Sequence, residues 1–150
     1  MRLDTRRRSR GWANTKNQHV EVSSDAFISG LLGIHQFCRI GRLAMVGGMS
    51  RITRDVPPFM IVEGIPAAIR GLNVVGLRRA GFNAEDRRIL QRLYRTLYRS
   101  NKSVRVVIAE LDGDALSPEG RELIDFYGAS KRGVTPCRSP RSPAKTQSEN

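Results

Sequence analysis

The residues with the most chemical reach are few. The chain has two imidazoles, His19 and His35. A neutral imidazole can accept or donate a proton near physiological pH, and it can hold a substrate oxygen. His35 reads two ways, as a binding residue or as a turn residue facing solvent, and His19 is equally open. Arg78 and Arg79 stand side by side. A guanidinium fork matches phosphate oxygens, but such a pair also suits a helix end where it stays solvated. Cys38 falls where small inward residues recur and reads as core, not nucleophile. Tyr94 and Tyr98 read as core as well.

The elements that must position these groups begin with a repeat. Val22, Ile28, Ile34, Ile40, Val46 and Ile52 are β-branched and fall at a constant interval of six. A second register runs through Ala26, Leu32, Cys38, Ala44, Ser50 and Val56, mostly small. Helices need spacings of three and four, and single strands need two, so neither produces a pure six. A parallel β-helix does. Each hexapeptide gives a short strand and a turn, three make a triangular coil, and the anchor stacks on its equivalent in the next coil. Glycines at Gly30, Gly33, Gly41, Gly47 and Gly48 are expected to supply positive φ in the turns. Residues 22–57 hold about two coils.

Pro57 and Pro58 remove two backbone donors and are expected to end the strand stacking. Residues 59–62 read as a short strand, 63–67 as a turn, and 75–79 as a short helix. Asn83 caps a longer helix, with Glu85 and Asp86 in its first turn. Its inward face is Ile89, Leu90, Leu93, Tyr94, Leu97 and Tyr98, and Arg87, Arg88, Arg92, Arg95 and Arg99 lie mainly off it. Another helix follows Ser103. A third starts at Ser117-Pro118-Glu119, a cap with Pro at the first helical position. The expected order is a disordered basic arm at 1–18, a hexapeptide-repeat stub at 19–58, a helical domain at 59–133 and a disordered tail at 134–150.

Composition sets the outer limits. The chain has 150 residues and a net charge of +12, carried mainly by Arg, since only four of the 26 basic residues are Lys. That charge makes nucleic acid, acidic lipid and phosphorylated ligands the partners to test. No recognition motif or aromatic run supports nucleic acid. No apolar stretch approaches the ~20 residues of a spanning helix. Two cysteines make no disulfide framework and are too few for a zinc knuckle, which points to a reducing compartment, the cytosol.

Five runs fall in a fixed order and spacing: His19-Val20-Glu21-Val22, Gly33-Ile34-His35-Gln36-Phe37-Cys38, Met45-Val46-Gly47-Gly48-Met49-Ser50, Asp55-Val56-Pro57-Pro58-Phe59-Met60-Ile61, and Gly71-Leu72-Asn73-Val74-Val75-Gly76-Leu77-Arg78-Arg79-Ala80-Gly81-Phe82. Together they resemble the C-terminal part of the bacterial acyl-carrier-protein–UDP-N-acetylglucosamine O-acyltransferases of lipid A synthesis. The resemblance runs from about His19 to about Arg132. The run after the double Pro is what narrows it from hexapeptide acyltransferases at large.

The resemblance implies a homotrimer of left-handed β-helices, each followed by a helical domain, with active sites between neighbouring subunits. It implies transfer of a 3-hydroxyacyl group from acyl carrier protein to the 3-hydroxyl of UDP-N-acetylglucosamine, with a His as general base and no metal or cofactor. That base lies in coils before the part matched. His19 and His35 resemble two other active-site histidines, so the catalytic residue is unknown here and the chain reads as a shortened form. Gln36 resembles a residue near the nucleotide, and Asn73 and Arg79 fall where the family contacts UDP. Val75 and Ala80 replace a Glu and a second Arg of some members, and Ile65-Pro66 replaces an Asn-His pair. The arginine face at 87–99 reads as solvated, with docking of the acidic carrier protein as the lesser option. The alternative function is a non-catalytic module that trimerises or binds UDP-sugar or carrier protein.

Overall fold

A computed structural model describes residues 20–30 and 33–138. The six short strands are β1 (Glu21–Val22), β2 (Phe27–Ile28), β3 (Gly33–Ile34), β4 (Arg39–Ile40), β5 (Met45–Val46) and β6 (Arg51–Ile52). They pair in parallel as β1–β4, β2–β5 and β3–β6. Glu21 lies opposite Arg39, Phe27 opposite Met45 and Gly33 opposite Arg51, so each partner is three hexapeptides on. This is the β-helix that the interval of six requires. Ile40, Val46 and Ile52 are fully buried, whereas Val22 is 36% exposed. Ile40 is stacked on both sides, by Val22 and Val56, and Val46 by Ile28 and Val62. Each such burial contributes roughly 1.5–3 kcal/mol.

Two expectations about the coils need correction. Among the described residues, the left-handed backbone positions in the turns are taken by Asp25, Phe37, Leu43, Met49 and Phe59, with φ between 54° and 68°, and not by glycine. Hydrogen bonds between stacked corners hold these strained residues, as in Leu43 N–H to Ser24 O at 3.4 Å and Phe59 N–H to Arg42 O at 2.9 Å. The glycines serve close approach instead. A Cβ on Gly41 would stand 2.4 Å from the Pro58 backbone nitrogen, and one on Gly47 would stand 2.9 Å from Glu63 Cβ.

The double Pro does not end the stacking. Val56 N–H donates to Arg39 O and Gly41 N–H to Val56 O, both at 2.8 Å, and the prolines fall on the corner beyond, where no donor is needed. The chain then re-enters the stack as β7 (Met60–Gly64), parallel to β5, with Ile61 opposite Met45. β8 (Ala67–Leu72) folds back antiparallel on β7. The part expected to be helical therefore opens with a hairpin that caps the coil.

Four helices follow: α1 (Val74–Arg79), α2 (Ala84–Tyr98), α3 (Val104–Leu111) and α4 (Pro118–Ala129). The caps are those the sequence indicates. Asn83 accepts from Asp86 N–H, Ser103 from Val106 N–H and Ser117 from Gly120 N–H. Leu90, Leu93, Tyr94 and Leu97 are buried, while Ile89, placed on the same face by sequence, is 36% exposed.

The boundary of the expected tail also moves. Asp55 N–H donates to Gly133 O, Thr135 N–H to Asp55 O and Ile69 N–H to Pro136 O. Residues 134–138 thus run alongside Asp55 and β8, with Thr135 buried. Their composition is polar, but backbone pairing needs no apolar side chain. The rest of the tail, 139–150, and the arm at 1–18 lie outside the described residues.

Candidate functional site

His35 and Gln36 occupy the corner between β3 and β4, and both are exposed. His19 lies outside the described residues. The corner is gripped from the far end of the fold by Arg132. Its Nε donates to Thr53 O at 3.0 Å and its Nη1 to Gln36 O at 3.1 Å. Its Nη2 lies 2.6 Å from His35 Nδ1. Arg132 is 96 residues from Gln36, so no local spacing signals this role.

Asp55 places Arg132 there. It is buried, with Oδ1 accepting from Arg39 N–H at 2.9 Å and Oδ2 from Ser130 Oγ at 2.7 Å. A carboxylate buried at 1% exposure is tolerable because it is hydrogen-bonded in this way. Ser130 caps the end of α4, so Asp55 pins that helix end to the coil and delivers Lys131 and Arg132 to the corner. A cavity of about 620 Å³ opens beside it, lined by Phe37, Arg39, Asp55, Ala129, Lys131 and Arg132.

Asn73 and Arg79 sit elsewhere. Asn73 is buried and caps α1, with its Oδ1 accepting from Gly76 N–H at 3.0 Å. Its Nδ2 donates to Leu43 O at 2.9 Å, on the corner between β4 and β5. Both polar ends of this side chain are thus used within the chain. A Cβ on Gly76 would meet Asn73 Nδ2 at 2.3 Å, so Gly76 is what lets the side chain fold back. The cap orients α1, which carries Arg78 and Arg79 in its last turn, both exposed. Val75 is exposed at 57%. Within one chain, then, the His35–Gln36 pair and the Asn73–Arg79 pair stand on different corners of the coil.

Several of the remaining candidates are packed or paired within the chain. Cys38 is buried, and burial above all pushes its thiol pKa up, opposite to what a nucleophile needs. On the arginine face, Arg87 donates to Phe82 O, Arg88 pairs with Glu85, and Arg99 stacks over Tyr94. Among the described residues, no group of three or more His, Cys, Asp or Glu side chains could hold a metal ion. No helix among them is long and apolar enough to cross a membrane.

The sequence model of the family described as "UDP N-acetylglucosamine O-acyltransferase; Domain 2" matches residues 55–135, just over half of the chain. The chain belongs to this acyltransferase family. The acyl-[acyl-carrier-protein]–UDP-N-acetylglucosamine O-acyltransferase of Synechocystis is 48% identical over 123 residues, covering 79% of this chain and 45% of the relative. The enzyme of the same name from Burkholderia orbicola is 42% identical over 122 residues, covering 77% and 46%. Among solved structures, a UDP-N-acetylglucosamine acyltransferase from Campylobacter jejuni superposes with a TM-score of 0.74 at 33% identity, over 80% of this chain and 47% of that one. The Arabidopsis enzyme gives 0.70 at 34% identity, over 77% and 44%. The fold is accordingly the left-handed parallel β-helix of these acyltransferases with its C-terminal helices. The chain spans about half the length of the curated relatives it matches.

Proposed function

We propose that this chain serves the transfer of a 3-hydroxyacyl group from acyl carrier protein to the 3-hydroxyl of UDP-N-acetylglucosamine, as the part that binds the sugar nucleotide and joins subunits. The observation that carries this reading is the Asn73-capped helix α1. It is locked to the coil and presents Arg78 and Arg79 outward, where a fork of donors suits a diphosphate. His35 and Gln36 lie on another corner, so a site using both pairs needs two subunits side by side. This supports a homotrimer with sites between neighbours, to which His19 would also contribute.

By resemblance, the two histidines of the sequence match family positions other than the general base. Binding and assembly, in the cytoplasm, are therefore the roles we assign to the residues described. Calorimetric titration with UDP-N-acetylglucosamine, together with light scattering, tests this. Saturable binding by a trimer is expected, and it should weaken at least tenfold in Arg79→Ala. A monomer that ignores the ligand would overturn the reading. Acyl transfer by the chain alone, lost in His35→Ala, would overturn the assignment of the base.

A further inference from the structure

His35 Nδ1 has two neighbours that ask for opposite things. The Gln36 carbonyl, 3.3 Å away, is an acceptor and would call for a proton on Nδ1. The Arg132 Nη2, 2.6 Å away, is a donor and calls for a lone pair there. A guanidinium has no acceptor and does not lose its proton in proteins. A proton on Nδ1 would set two donors face to face at 2.6 Å. The Gln36 carbonyl, meanwhile, is already supplied by Arg132 Nη1 at 3.1 Å. The shorter, charge-assisted contact decides.

We infer that Arg132 is a positioning residue that fixes His35 as the neutral tautomer with its proton on Nε2. Held in this way, the exposed Nε2–H is a hydrogen-bond donor aimed outward. It can hold a phosphate or carbonyl oxygen of a nucleotide, and it cannot act as a base through that nitrogen, which has no free lone pair. Arg132 makes this assignment robust because its other two donors are anchored on the backbone carbonyls of Thr53 and Gln36. Rotating the guanidinium away from His35 would break those bonds too. The consequence for a ligand rests on the sugar-nucleotide reading above, whereas the tautomer does not.

The test is a long-range proton–nitrogen correlation spectrum of the full, nitrogen-15-labelled chain at pH about 8.5, where ordinary imidazole is neutral. The His35 signal is assigned by its loss in His35→Gln. The expected pattern is that of an Nε2–H ring in the parent, turning into a mixture of tautomers in Arg132→Gln and Arg132→Lys. An Nδ1–H ring in the parent, or a pattern unchanged in both variants, would sink the inference. If Arg132→Gln fails to fold, the parent spectrum and the lysine variant still decide. In a separate arm, UDP-N-acetylglucosamine affinity should fall about tenfold in His35→Ala, as for one lost hydrogen bond to a charged group. It should fall less than about threefold in His35→Gln, whose amide nitrogen reaches the place of Nε2. Equal losses in the two variants would overturn the donor role. Absence of binding by the parent would fail the sugar-nucleotide reading and leave the tautomer result standing.

Discussion

Arg42 and Glu122 stand 80 residues apart in the chain and meet through two prongs, Nε to Oε1 at 3.2 Å and Nη2 to Oε2 at 2.8 Å. The same guanidinium lies over the Phe59 ring at 5.1 Å and the Phe82 ring at 5.9 Å. One side chain on the coil corner therefore holds α4 through charge and the loop before α2 through packing. Both partners are about one-third exposed, so the ion pair itself is worth little more than 1 kcal/mol.

The packing separates the two partners. Arg42→Ala should cost about 2 kcal/mol, because it also uncovers two aromatic rings. Glu122→Gln should cost about 1 kcal/mol or less, because the arginine keeps its rings. Urea unfolding of each variant measures this. Equal losses would mean that the charge pair, and not the stacking, holds the corner.

Gly41 is the position where a single methyl should matter most. A Cβ there collides with Pro58 backbone, which cannot swing aside as a flexible side chain would. Gly41→Ala should destabilise by about 2–4 kcal/mol, as overpacking at a rigid contact does. Gly71→Ala is the control, since a Cβ there meets nothing within 4 Å. It should change stability by no more than about 1 kcal/mol, with the loss of unfolded-state entropy acting in its favour. Thermal melts of the two variants against the parent give the comparison.

These positions show what the sequence makes legible. The interval of six exposes the coils because every anchor meets its own equivalent, and the caps at Asn83, Ser103 and Ser117 are local hydrogen bonds over three residues. The continuation of the stack through β7 is hidden because the interval shortens from six to four between Ile52 and Val56, the residue that takes the next stacking place on Ile40. β8 is hidden because Gly71 breaks its apolar pattern. For the site, His35, Gln36 and Arg79 are visible as exposed groups in marked runs. The roles of Arg132 and Asp55 are not, since each depends on a contact 75 or more residues away. Asn73 is visible as a residue, but its tie to the coil is not, because the Leu43 carbonyl that it reaches lies 30 residues back.

The Asn73–Gly76 contact yields a double-mutant prediction. In the parent, Gly76→Ala should be costly, since the new Cβ would displace the Asn73 side chain from both of its hydrogen bonds. In an Asn73→Ala background that obstruction is gone. The same substitution should then be neutral or stabilising by up to about 1 kcal/mol, the usual gain of Ala over Gly in a helix. The expected coupling is about 1–3 kcal/mol, read from chemical denaturation of all four proteins. Additive costs would show that the cap does not depend on the missing Cβ.

The last prediction concerns alkaline pH. The Tyr98 and Tyr127 hydroxyls are hydrogen-bonded to each other between α2 and α4. Burial is the main reason both phenols titrate above their ordinary value of 10, and the neighbouring tyrosine adds to the effect at Tyr98. Both stay protonated in the folded chain at pH values where the unfolded chain releases them. The native state then binds more protons, so stability falls as pH rises. The contribution is intact below pH 10 and lost above it, at about 1.4 kcal/mol per pH unit for each tyrosine. Tyr98→Phe alone should destabilise at neutral pH by about 1 kcal/mol, because the Tyr127 hydroxyl loses its partner. Tyr98→Phe with Tyr127→Phe removes both groups, so it should recover part of that loss and flatten the decline between pH 10 and 11. Urea midpoints measured across that interval give the slope, and a double variant as steep as the parent would place the alkaline sensitivity elsewhere in the fold.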